Sequence, residues 1–563
     1  MAGAGNLRFL RLVPAALLFL LILTSPAAAK TIIADTEWSG SVLVEEDLRV
    51  APGATLTIAA GTKVLFAEAV STKTDPSFFS PQTEITVEGK LVAAGTPDAP
   101  VTFEPQTGYW GGIIAAPKGE VILRNAVLAR AEEALLVDGG TLRAQKTVVR
   151  GSDFGLVLAP ERIFEGDGLS LESCKVGVVD MAGKADSIAG VTVKDAEDAA
   201  FLSFAYTRET PETPVLPEPK GPEREFVGDY TVEGKESWRG VVTISGRVTV
   251  PPGSVLNIEP GTRVRFRKKD TDGDNLGEGE LLVTGSIRAV GLKENPIVFE
   301  SAERSPSPGD WDKVSVISSE DPENVFENTL FRYGVQGLHG HFSNLTVRDS
   351  TFVSNIRAVQ FQESERTTVT GSTFIGNKQA VRFRDSAVTI ENCFFSGNDY
   401  SVHAFRGSLD FRGNRVIGSK LGGMLAKECS LKVENNLFDL GRNSLKVKGE
   451  GAFLTLRANK LLRNTESALS LSYAEGEITG NEFDLAGLDL VGVEEGKVAF
   501  RDNVFGLAKR HSIHLSGSKG IDAAQNWWNP ENPPEKSIYD GKDDPSLGLV
   551  TFEPAKEWAT RPH

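Results

Sequence analysis

Leu431-Lys-Val-Glu-Asn-Asn-Leu-Phe438, Leu454-Thr-Leu-Arg-Ala-Asn-Lys-Leu461 and Val498-Ala-Phe-Arg-Asp-Asn-Val-Phe505 are three versions of one octapeptide. Each opens on two apolar residues separated by a polar or small one, carries Asn in sixth place and closes on Leu or Phe. Alternation with period two over so short a span predicts a strand with one face inward. The polar or small slot recurs at Asn328, Ser350, Ser372, Cys393, Asn414, Asn436, Asn459, Asn481, Asn503 and Asn526, in steps of 21 to 23 residues. Two residues after each slot stands an apolar side chain: Leu330, Phe352, Phe374, Phe395, Val416, Phe438, Leu461, Phe483, Phe505 and Trp528. A second short strand follows, as in Val359-x-Phe361, Val381-x-Phe383, Leu445-x-Val447, Leu469-x-Leu471, Leu488-x-Leu490 and Ile513-x-Leu515. Two or three strands in each short repeat predict a parallel β-helix, its coils stacked about 4.8 Å apart. Slot then lies over slot, so that Asn hydrogen-bonds Asn up a ladder and Phe stacks on Phe in a continuous core.

Upstream, the chain is duplicated. Trp38-Ser-Gly40, Pro52-Gly53 and Gly61-Thr-Lys-Val-Leu-Phe66 return as Trp238-Arg-Gly240, Pro252-Gly253 and Gly261-Thr-Arg-Val-Arg-Phe266, each shifted by 200 residues. Between the copies, Thr210 to Pro222 is rich in proline and reads as a stiff extended linker. The expected organisation is a signal peptide over 1–29, a first β-helical unit over 30–205, a Pro/Glu-rich linker over 206–228, a second β-helical unit over 229–555 and a tail over 556–563. One continuous helix with the proline-rich segment looped out is the alternative.

The leader has Arg8 and Arg11 before an apolar Val13–Leu23 stretch too short to span a bilayer comfortably, then Ala27-Ala28-Ala29 as a small-residue cleavage site. The expected location is extracytoplasmic: periplasm, cell surface or medium. No later apolar run is long enough to cross a membrane. A net charge of −16 argues against nucleic acid as a partner, because phosphate binding needs a basic face. Three cysteines make no disulfide framework. Cys393 fills a ladder slot, and Cys174 reads the same way in the first unit, with Asn125 and Thr147 as earlier slots. Cys429 fits no slot.

The coils, the Asn ladder and the inward Phe stack resemble the right-handed parallel β-helix proteins of the pectin-lyase-like superfamily. The Pro-Gly opening and the closing segment Asn526-Trp-Trp-Asn529 are similar to the ends of secreted bacterial members. The resemblance implies an all-β solenoid. It implies no single activity, since this fold carries lyases, hydrolases, adhesins and inert scaffolds. The clustered aspartates and the Gly-His-Gly of the family's hydrolases are not found in order. His339-Gly-His341 inverts the latter, and Asp543-Asp544 lies in the closing segment. Nor do the coils supply the several carboxylates and Arg base of a Ca²⁺-dependent lyase.

Two candidate sites stand out. Asp270, Asp272, Asp274, Glu278 and Glu280 crowd one glycine-rich loop that departs from the EF-hand pattern but could wrap Ca²⁺ with oxygen ligands. The alternative is a solvated acidic loop. On the outward face of the second strand, the coil alignment places His339, Gln360, Arg382, His403, Lys446, Ser470, Asp489 and His514 in one polar row. Such a row suits an extended glycan read by hydrogen bonds along its length. The expected function is non-catalytic binding of a polysaccharide or another cell-envelope partner along the long face. A polysaccharide lyase or glycoside hydrolase is the first alternative, and a structural envelope spacer the second.

Overall fold

The computed structural model describes residues 30–67, 82–182, 187–197, 199–203, 216–271, 276–320 and 324–561. The described residues form an all-β parallel solenoid with almost no helix. Strands between Lys30 and Ser203 form three sheets of eight, six and seven strands. Strands between Glu223 and Thr551 form a separate 14-stranded sheet and a 25-stranded one. In the latter, Gln379–Glu391, Tyr400–Arg412 and Gly422–Glu434 run unbroken around a corner and join two faces. The strand Glu223–Val227 pairs with Val241–Ser245, so the first rung of this solenoid begins within the stretch read as linker. That stretch's residues 206–215, like the leader, lie outside the described residues.

Corners make the coil. Asn392, Gly413, Asn435, Ala458, Gly480, Asp502 and Gln525 all have left-handed backbones, with φ between 53° and 69°. The residue after each is the slot. Asn and Gly tolerate this conformation, while other residues meet a Cβ clash. A backbone turned so sharply cannot pair all its amides in the strand ladders, and the slot Asn supplies what is missing. The Oδ1 of Asn436 accepts the backbone N–H of Asn414 at 2.8 Å and the side-chain N–H of Asn414 at 3.1 Å. Its own Nδ2 donates to Asn459 Oδ1 at 2.9 Å and to the Phe411 carbonyl at 2.9 Å. Asn459, Asn481, Asn503 and Asn526 continue the pattern without a break. Each buried amide in the run has its acceptor and donor capacity used.

Beneath the ladder, rings stack in register. Phe299, Phe331, Phe352, Phe374 and Phe395 lie 4.5 to 5.0 Å apart with interplanar angles of 5° or 6°. The stack corrects the sequence register at its first rung. Thr329 occupies the slot, bonded to Ser350 Oγ, and Phe331 points inward. Asn328 is instead the left-handed residue, and Leu330 faces outward in register with Thr351.

Two more corners repeat the device. Asn355, Asn377 and Asn398 form a second amide ladder at 3.0 Å. At the third corner, Ser343, Ser364 and Ser386 each return a hydroxyl hydrogen bond to the carbonyl two residues back. The strand register continues that column through Gly407 to Cys429, whose thiol makes the same bond to Lys427 at 3.2 Å. Cys429 is thus a corner residue. Cys174 also sits at a corner, but in the column Ala131–Ser152–Cys174, one corner on from Asn125 and Thr147.

The two solenoid stretches meet through side chains. Ile114, Leu136, Val157, Val179 and Leu202 form an outward apolar column on the first, and this column is buried with Leu488 of the second. Arg442, fully buried, bonds Glu133 across the seam and Glu466 at 3.2 Å, and its guanidinium lies 3.8 Å from the Phe154 ring centroid. Lys420 bridges Asp138 and Asp399 nearby.

Two neighbouring substitutions should move stability in opposite directions. Asn459→Ala strips the acceptor from both Asn436 donors and should cost about 2–4 kcal/mol. Ala458→Gly relieves a non-glycine residue held at φ 53° and should add ~0.5–1 kcal/mol. Urea midpoints of the two variants and the parent check both signs. Arg442→Ala takes the counter-charge from half-buried Glu133 and leaves Glu466 with Lys446 alone. It should destabilise by about 3 kcal/mol and expose the seam to limited proteolysis, which Arg442→Ala cannot do if the seam is absent in solution.

Candidate functional site

The outward face of the strands Gly334–His341, Arg357–Gln362, Gln379–Glu391 and Tyr400–Arg412 carries the polar row. Inward positions on these strands are Leu338, Val359, Val381 and Val402, so the intervening side chains must face out. His339, Gln360, Arg382 and His403 stack on four consecutive coils. Leu425 then interrupts, followed by Lys446, Ser470, Gly492, His514 and Tyr539. Asp489 is not in this column. Gly492 takes that rung, because the strand is Val491–Val493 and not the Leu488-x-Leu490 pattern.

Two flanking columns complete the strip. One runs through Arg357, Gln379 and Tyr400, the other through His341, Gln362, Arg384, Phe405, Lys427 and Lys448. Arg357 is 0% exposed and donates to the side-chain carbonyls of Gln360 and Gln379. Tyr400 abuts the first solenoid stretch around a cavity of about 30 Å³ that Glu84, Glu132 and Glu133 also line. The strip therefore runs beside the seam.

Its polar atoms are short of partners. Both ring nitrogens of His339, Nδ1 of His403 and Oε1 of Gln336 are buried and hydrogen-bond to no protein group. Such atoms call for an explanation, because an unmade buried hydrogen bond costs about 1–3 kcal/mol. Burial, with Lys313, His341 and Arg357 nearby, pulls His339 down to about 3. Burial and the guanidinium groups of Arg382 and Arg357 pull His403 down to about 3. Burial and Arg384 bring Arg382 down to about 10, still a cation at neutral pH. The strip thus presents neutral imidazoles, amides and fixed cations on a chain whose net charge is −16. Lys446 is committed to an ion pair, 3.1 Å from Glu466. Against the cost of burial, Lys446 and Arg442 hold that carboxylate at about 2.

A second open groove, of about 670 Å³, lies on another face and is lined by Thr368, Thr389, Asp410, Lys432, Thr455 and Phe453. Of the acidic loop, Asp272 and Asp274 lie outside the described residues. Glu278 accepts the Thr271 backbone N–H at 2.7 Å. Glu280 is buried and takes hydrogen bonds from Arg247 at 2.8 Å and Ser315 at 2.6 Å.

The sequence puts Asp489 and His514 in the row and His511 on the same segment as His514, without joining the two histidines to Asp489. The structure brings all three together: the Nδ1 atoms of His511 and His514 lie 3.0 and 3.2 Å from the two carboxylate oxygens of Asp489. A signal was present, since His511 follows Asp489 by one coil length of 22 residues.

The sequence model described as the right handed beta helix region matches residues 309–438 and 384–527. These residues are a right-handed parallel β-helix. The resemblance read from the sequence holds at the level of fold. No curated protein matches the chain. Among solved structures, the β-helix is similar to the periplasmic alginate epimerase AlgG, at 11% identity over 57% of this chain and 78% of that one, with a TM-score of 0.23. It is also similar to the catalytic unit of a GH87 α-1,3-glucanase from Streptomyces thermodiastaticus, at 11% identity over 80% and 66%, with a TM-score of 0.27. These likenesses are too remote to assign an activity. No helix among the described residues is long and apolar enough to cross a membrane.

The half-buried imidazoles make a pH prediction. Unfolded histidines take up protons below about 6.5, whereas His339 and His403 in the fold do so only near 3. Between those values the unfolded state binds more protons, so stability falls as pH falls. The loss at pH 5 should be about 1–2 kcal/mol per imidazole. Urea midpoints at pH 7 and pH 5 should converge in the double variant His339→Gln/His403→Gln. An unchanged gap would place both rings in solvent.

Proposed function

We propose that the protein is an extracytoplasmic, non-catalytic binder of an extended anionic polysaccharide, held along the strip Gln360–Arg382–His403 with His339 and Lys446 at its margins. The observation that carries this reading is the set of buried, unpartnered hydrogen-bonding atoms on His339, His403 and Gln336 beside the cations Arg357 and Arg382. Hydroxyl groups of a sugar satisfy imidazole nitrogens and amide oxygens, and a carboxylate suits a guanidinium. Successive coils repeat every ~4.8 Å, close to the length of one sugar residue, so a chain laid along the axis meets a new side chain at each unit. The polar, half-buried character of the strip favours recognition by hydrogen bonds over apolar contact. The leader sequence supports an extracytoplasmic location.

The test is retention on immobilised uronate polymers and neutral glucans, with products assayed for unsaturated and reducing ends. Retention on the anionic polymers without cleavage is expected. His403→Gln and Gln360→Ala should each weaken it by roughly five- to tenfold, about 1–1.5 kcal/mol of lost hydrogen bonding, with melting temperatures as the folding control. Release of new ends would make the protein an enzyme. Loss of retention in Asp410→Ala or Lys432→Ala, with His403→Gln unaffected, would move the site to the open groove.

A further inference from the structure

The cluster around Asp489 has the makings of a metal centre. Asp489, His511 and His514 each offer a ligand atom, and the three atoms lie within 4.8 Å of one another. The carboxylate is buried, while both imidazoles are partly exposed, so the cluster opens to solvent on one side. The backbone fixes it from separate coils. Asp489 lies just before the strand Val491–Val493, His511 just before Ile513–Leu515, and His514 within the latter. Tyr539, one rung further, walls the rings at 5.4 and 5.1 Å.

Zn²⁺ bound at ~2.0–2.1 Å by imidazole nitrogen and carboxylate oxygen sets neighbouring donors about 3.3–3.5 Å apart on a tetrahedron. His511 Nδ1 lies 3.0 Å from Oδ1 of Asp489 and His514 Nδ1 lies 3.2 Å from Oδ2, so each imidazole stands within a few tenths of an ångström of that edge from its own carboxylate oxygen. A positive charge already sits among these donors. Nη2 of Arg510 donates to Asp489 Oδ2 and lies 3.3 Å from His514 Nδ1. When that imidazole nitrogen accepts from the guanidinium, its lone pair points where a cation would be held. The Arg510 side chain is 23% exposed, which leaves it a path outward.

We infer that Asp489, His511 and His514 bind a single Zn²⁺ ion, with Arg510 occupying the cation position until the metal displaces it. Two imidazoles and one carboxylate favour zinc over the hard cations Ca²⁺ and Mg²⁺, and a fourth position stays open to water or ligand. This inference uses groups away from the His339–His403 strip and does not depend on polysaccharide binding.

The test titrates Zn²⁺ calorimetrically into the full-length, untagged chain at pH 7.5, with Co²⁺ absorption reporting the ligand field. One equivalent is expected. Asp489→Asn and His514→Ala should abolish it, and Arg510→Gln should tighten it by roughly tenfold by removing the competing cation. His511→Gln, melted in chelator beside the parent, separates ligand loss from misfolding. Zinc uptake that survives both Asp489→Asn and His514→Ala would overturn the assignment. So would a parent chain that takes up no zinc, even if Arg510→Gln does, for Arg510 would then be the site's permanent counter-ion.

Discussion

The solenoid depends on how a parallel coil turns a corner. Each corner needs one residue in the left-handed region, and that residue rotates the next peptide out of the strand ladder. The freed N–H would be buried without an acceptor if the slot residue did not offer one. Asn does so twice, once to the backbone and once to the amide of the coil before, and it returns its own two hydrogens to the structure. Ser makes a lesser version of the same repair at the third corner, where Ser386 Oγ accepts the Ser364 backbone N–H at 3.1 Å, while the Cys429 thiol donates back to the Lys427 carbonyl. Neighbouring coils therefore hold each other's corners in place, and the Phe stack inherits its close register from that constraint.

The seam shows where a repeating fold departs from one dimension. A solenoid ordinarily buries its inner face and leaves the outer face to water. Here the strands Gly112–Ala115, Glu133–Val137, Phe154–Leu158 and Val176–Asp180 are apolar on both faces, as strands buried on both sides are. Their outer column meets Leu488, and Arg442 ties the seam with charge-assisted bonds to Glu133 and Glu466. The polar strip beside the seam owes part of its burial to this packing, since Tyr400 on its flank lies against the first solenoid stretch. Low solvation keeps His339 and His403 neutral there and makes their unfilled hydrogen-bonding capacity costly.

Much of this was legible in the residues. The 22-residue step by itself places the Asn column, the Phe stack and the row His339–Gln360–Arg382–His403. Cys429 was opaque because its neighbours in the column are Gly407 and Ala452, and no single residue type marks that corner. Asp489 was set in the row because Leu488-x-Leu490 mimics an inward-facing strand. Leu488 is apolar for a different reason, its contact across the seam. The run from Leu488 to Val493 supports two registers by pattern, and a loop of different length between Lys446 and Ser470 removes the spacing that would choose between them.

The sequence by itself determined the coil: its length, its corners, its inward rings and the all-β parallel class, because each follows from local periodicity and from residue types that only certain backbone angles accept. Tertiary structure alone decided which outward apolar residues meet across the seam, how deeply the polar strip is buried and that Asp489, His511 and His514 converge. Those outcomes depend on distances between side chains from different coils and different solenoid stretches, and a periodic pattern fixes which face a residue takes without fixing what lies opposite it.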